Sequence, residues 1–110
     1  FSENRGLGLE NLVFPELRRR GGELYYHRGK HECDFLVKRG SEITEAIQVT
    51  LRLGEKTRDR EINGIVDALE EYDLKLGLIL TMDQKETVSR EGKTIRVLPA
   101  CEWVLHRQEN

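Results

Sequence analysis

The chain has 110 residues and a mass of 12.8 kDa, enough for one domain with one modest core. Apolar residues make up 37% and charged residues 35%, and the formal net charge is -2, which excludes a basic whole-domain footprint for nucleic acid but leaves room for a local basic patch. No run approaches the roughly 20 apolar residues of a membrane helix, and no apolar stretch follows Glu3 and Arg5 to make a signal peptide.

Glu10 to Arg20 reads as a helix, with Leu9, Leu12, Val13, Phe14 and Leu17 mostly on one face. Arg18, Arg19 and Arg20 followed by Gly21 and Gly22 are a stop signal. Pro15 removes a hydrogen bond inside this helix, so a kink is expected there. Glu23 to Arg28, Cys33 to Lys38 and Glu42 to Leu51 read as strands separated by short turns, which predicts an antiparallel meander. Thr57 to Tyr72 is a second helix, with Ile62, Ile65, Val66 and Leu69 at helical spacing and Gly64 marking a close packing contact. Leu74 to Thr81 contains Leu78-Ile79-Leu80, apolar on both faces, so this strand is expected inside the sheet and parallel to the strand before the helix. Met82 to Lys93 reads as a polar loop, Thr94 to Leu98 as a last strand, and Pro99 opens a short helix carrying Trp103 and Leu105. The expected fold is therefore α/β, with a mixed central sheet of about five strands flanked by helices. It is expected to form a single domain over residues 1–110. The chain begins on Phe1, and it is expected to be a fragment of a longer protein.

Residues two apart in a strand share a face. Asp34 with Glu32, Leu36 and Lys38 lies on one face of the second strand, and Gln48 with Ala46, Thr50 and Arg52 on one face of the third. An acid and an amide on neighbouring strands are then expected to look into one cleft, with Glu10 joining them from the first helix. Carboxylates and an amide oxygen are the hard ligands that suit Mg²⁺ or Mn²⁺, and such an ion activates water for phosphoryl chemistry.

The ordered set Glu10-Asn11-Leu12-Val13-Phe14, Glu16-Leu17-Arg18-Arg19-Arg20-Gly21, Tyr25-Tyr26, Glu32-Cys33-Asp34-Phe35, Ile47-Gln48-Val49-Thr50, Arg60-Glu61 and Pro99-Ala100-Cys101-Glu102-Trp103 resembles the C-terminal domain of bacterial and archaeal AAA+-type ATPases. That domain is similar to the PD-(D/E)xK nucleases, the fold of restriction endonucleases and archaeal Holliday-junction resolvases. The resemblance implies an αβββαβ core, attachment to an ATPase domain, and a metal site in which Glu10 and Asp34 are the acids. Gln48-Val49-Thr50 then stands at the (D/E)xK position. Gln48 offers no charge, and Thr50 cannot supply the lysine's cation, a loss of about 10²–10³ in rate; Arg58 or Arg60 is the candidate substitute. No GxxxxGK(S/T) loop occurs, so any ATP chemistry belongs to the part of the protein outside this chain.

Each of these residues also has a plainer role. Asp34 can pair with a basic neighbour, Glu10 can favour a helix N-terminus, and Gln48 can hydrogen-bond within the sheet. Arg18, Arg19 and Arg20 either complement the helix dipole or join Arg28, Lys30, His31 and Arg60 as phosphate contacts. Tyr25 and Tyr26 can stack on bases, but adjacent strand residues face opposite ways, so at least one is expected in the core. His27, His31 and Cys33 lack zinc spacing unless Cys101 folds close, and Cys33 reads better as a small buried hydrophobe. Two cysteines are too few for a disulfide scaffold and suggest the reducing cytoplasm. The function expected is a nucleic-acid-binding module with a degenerate or weak metal-dependent nuclease site. The alternative is a non-catalytic interaction or regulatory module of the ATPase.

Overall fold

The computed structural model describes residues 7–28 and 32–106. Helix α1 (Leu7–Arg20) continues through Pro15 without a break. Pro15 and Asn11, whose carbonyl loses its intrahelical donor, both lie on the exposed side, where water can satisfy the group. Strands β1 (Glu23–Arg28), β2 (Glu32–Arg39) and β3 (Glu42–Val49) form the antiparallel meander expected from the short turns. Helix α2 (Arg58–Glu71) crosses over to β4 (Leu76–Thr81), which pairs parallel to β3.

The segment expected as a polar loop contains a sixth strand, β5 (Glu86–Arg90). It hairpins onto β6 (Lys93–Pro99) through Glu91 and Gly92, both at positive φ, the geometry of a tight two-residue turn. Only Val88 of β5 packs against the core, so the strand carries almost no hydrophobic signal. The sheet order is β1-β2-β3-β4-β6-β5, with β4 and β6 parallel and the short helix α3 (Ala100–Leu105) following β6. The fold is α/β, a mixed six-stranded sheet flanked by three helices, and it is compatible with a restriction-endonuclease-like core. No helix among the described residues is long and apolar enough to cross a membrane.

Alternation along the strands divides the core in two. On one face Ile62, Ile65 and Leu69 of α2 pack on Leu36, Ala46, Ile79, Ile95 and Val97. On the other, Leu9, Val13 and Leu17 of α1 and Trp103 of α3 pack on Phe35, Val37, Ile47, Val49, Leu80 and Leu98. Each such side chain, fully buried, contributes about 1.5–3 kcal/mol. Gly77 in β4 lets α2 lie this close, since a Cβ there would stand 2.9 Å from Ile65 Cδ1. On the opposite face Arg20 ties α1 to α3. Its guanidinium donates to the Trp103 carbonyl at 3.0 Å and lies 4.2 Å from the centre of that ring.

Candidate functional site

The β2–β3 register is recorded from Arg39–Glu42 up to Phe35–Ile47. Just past that pair, side chains make the cross-strand bonds. The Val49 N–H donates to Asp34 Oδ2 at 2.9 Å, and the Asp34 N–H donates to Gln48 Oε1 at 2.8 Å. Gln48 Nε2 in turn donates to Glu61 Oε1 on α2, and Arg60 reaches Glu61 Oε2 at 3.4 Å. Asp34, Gln48 and Glu61 are each 2% exposed. An unpaired polar group at that depth is costly, so this chain of bonds makes the polar interior compatible with folding. Asp34 and Gln48 are therefore neighbours, as their strand positions predicted. Both bond the backbone that separates them.

Glu10 and Gln48 lie toward different layers of the fold. Glu10 sits half-buried on α1, which covers one face of the sheet, whereas Gln48 reaches to α2 on the other. Among the described residues no three His, Cys, Asp or Glu side chains stand where they could share a metal ion. Gln48 presents its oxygen to the Asp34 amide and its NH₂ to Glu61. Both polar atoms of the Gln48 amide are thus engaged within the fold. Thr50, at the lysine position, is fully buried, and its backbone N–H donates to the Leu80 carbonyl at 3.0 Å. Glu61 is the functional-type residue that the strand pattern alone passes over. Its signal was an acid on the buried face of α2, one turn before Ile65 and two before Ala68.

The basic candidates separate in the same way. Arg19 and Arg20 both hold Glu16, at 2.7 and 2.9 Å. The Arg19 hydrogen bond, helped by Arg20, brings the buried Glu16 carboxyl down to about 2, against the desolvation that would raise it. Arg58 is paired with Glu86 at 2.9 Å, and Arg60 lies against Glu61. Arg18 is exposed, with its guanidinium 5.7 Å from the centre of the Phe14 ring. Lys30, His31 and the side chain of Arg28 lie outside the described residues.

Arg18 borders an aromatic corner. Phe14 of α1 and Tyr26 of β1 each lie 6.1 Å, ring centre to ring centre, from Phe35 of β2, and the Tyr26 ring is stacked on it. Phe35 is buried, while Phe14 is 40% and Tyr26 57% exposed. Tyr25 is 46% exposed on the other side of β1, near the Lys38 ammonium. The expectation that one of the tyrosines is core is thus corrected: β1 is the edge strand, and neither helix layer reaches over it fully. Phe14, expected on the apolar face of α1, belongs to this surface as well.

His27 is buried against Asp67, with Nε2 2.7 Å from Oδ2, and meets Tyr72 edge-on. Burial pushes the Cys33 thiol up to about 12, and the residue packs as a small hydrophobe in the core under α2, while Cys101 is exposed.

No family model matches the chain, and no solved structure matches it. An uncharacterized protein of Methanocaldococcus jannaschii is 38% identical over 116 residues, which covers 96% of this chain and 26% of the relative. The chain thus spans about a quarter of the length of the curated relative it matches.

Proposed function

We propose that this chain is a nucleic-acid-binding module of the PD-(D/E)xK type, carried by a longer AAA+-type ATPase, that holds a strand without cutting it. The observation that carries the reading is the exposed corner of Phe14 and Tyr26 over Phe35, with Arg18 beside it. Aromatic faces open to water accept unstacked bases, and a neighbouring guanidinium serves the phosphate or the base face. Attachment to an ATPase rests on the resemblance of the ordered motifs, and the greater length of the archaeal relative agrees with it. The absence of cutting rests on Gln48 and Thr50 at the (D/E)xK position and on their engagement within the fold.

Fluorescence anisotropy with a labelled single-stranded oligonucleotide tests the proposal. Affinity should fall steeply with salt. Tyr26→Ala and Phe14→Ala should each weaken binding about tenfold, as expected for a base stack of about 1–3 kcal/mol. The oligonucleotide should stay intact with Mg²⁺ or Mn²⁺. Undetectable binding at low salt, or unchanged affinity in the double variant, would overturn the reading and favour an interaction module.

A further inference from the structure

A second surface lies on the sheet face that carries α1 and α3, away from the aromatic corner. Strands β3 and β4 are paired only from Ile47–Leu78 to Val49–Leu80. Before that point they part around a cleft of about 500 Å³. The cause lies in the β2–β3 register, where Val37 faces Glu45 and Lys38 faces Ile43, leaving Thr44 as an extra residue. A bulge of this kind bends its strand, and here it carries the start of β3 away from β4.

The parting leaves the edge of β4 open inside the cleft. Successive residues of β3 direct their backbone groups alternately to β2 and to β4; the Val49 N–H goes to Asp34 and the Thr50 N–H to Leu80. The same alternation along β4, whose Leu80 carbonyl receives the Thr50 N–H, points the carbonyl of the exposed Leu76 into the gap, and the register gives it no ladder partner; Ala46, across from it on β3, is buried. The floor is apolar, formed by Leu78, Leu98 and Trp103, and Leu76 at its edge is 54% exposed. The charge at the cleft is unbalanced. Glu45 is held by Arg39 at 3.3 Å, and Glu102, which Arg96 approaches, is bonded to Lys85 at 2.7 Å. Lys75 and Arg96 line the cleft, are exposed, and have no ion-pair partner within 4 Å among the described residues.

We propose that this cleft receives an extended segment of a partner protein in which acidic and apolar residues alternate. Its backbone N–H donates to the Leu76 carbonyl, its apolar side chains reach Leu98 and Trp103, and its acids meet Lys75 and Arg96. Alternation is what a strand requires, since successive side chains point to opposite sides, one set to the floor and one to the rim.

Trp103 is the single tryptophan, so its emission reports occupancy directly. The probes are a capped hexapeptide of alternating Val and Glu, the same peptide with Lys for Glu, and the Val–Glu peptide with N-methylated backbone. The Val–Glu peptide should shift Trp103 emission saturably and bind at least about tenfold tighter than the Lys peptide, a difference of about 1.4 kcal/mol. N-methylation should abolish the shift. The double variant Lys75→Glu/Arg96→Glu changes only exposed side chains and should invert the preference between the two peptides. Equal affinity for both peptides, an unchanged preference in the double variant, full binding of the N-methylated probe, or no response of Trp103 would each overturn the proposal.

Discussion

Two parts of this domain carry residues that attract a functional reading, and they differ in what surrounds those residues. Asp34, Gln48 and Glu61 are buried and bonded to one another or to the backbone between them. Phe14 and Tyr26 gather around one buried ring, with Arg18 over Phe14, and both aromatic side chains are exposed. The first arrangement resolves a local problem of the fold, the parting of two strands beside a helix. The second resolves none, because an exposed aromatic pair contributes little to a core that Phe35 already fills. Residue type at a motif position therefore says less about chemistry than whether the polar atoms remain available.

The largest effect that separates the two regions is expected at Gln48. Gln48→Leu keeps the side-chain volume but removes the acceptor of the Asp34 N–H and the donor to Glu61 Oε1. Urea unfolding should show a loss of about 3 kcal/mol, with oligonucleotide affinity unchanged in the folded fraction. Tyr26→Ala should behave in the opposite way, losing about tenfold in affinity and less than about 1 kcal/mol in stability. If both variants moved the same quantity, the division into a structural and a binding region would fail.

A smaller effect concerns acid. The Glu16 carboxyl is lowered in the folded state from 4.5 to about 2 by Arg19 and Arg20. A depressed carboxylate contributes stability that is present above its unfolded value and is lost as pH falls through the folded one. Stability measured by urea unfolding should thus decline between about pH 4.5 and 2, and Glu16→Gln should flatten that part of the decline. An identical acid profile in the variant would show that the two arginines do not stabilise the charged form.

Much of the fold was legible in the sequence, because its signals are hydrophobic and local. The short turns around Arg39-Gly40-Ser41 specified the meander, and Leu78-Ile79-Leu80 placed β4 inside the sheet with a parallel partner. Strand β5 was not legible, because Glu86-Thr87-Val88-Ser89-Arg90 lies at the sheet edge and buries almost nothing. Glu91-Gly92 was the available hint. At the candidate site, strand alternation brought Asp34 to Gln48 correctly, but it carries no information about the second helix. Whether α1 or α2 covers the face onto which Gln48 projects is a tertiary fact, and it decides that Glu61, not Glu10, meets Gln48. The exposure of Tyr26 is likewise set by the end of the sheet rather than by β1 itself.

Calorimetric titration of Mn²⁺ into the wild-type chain and into Asp34→Asn tests the central claim most directly. An asparagine oxygen can still accept the Val49 N–H, so the variant should remain folded. If Asp34 serves the fold, neither protein should show stoichiometric binding. One ion bound by the wild type and lost in Asp34→Asn would contradict the account and return Asp34 to the role of a metal ligand.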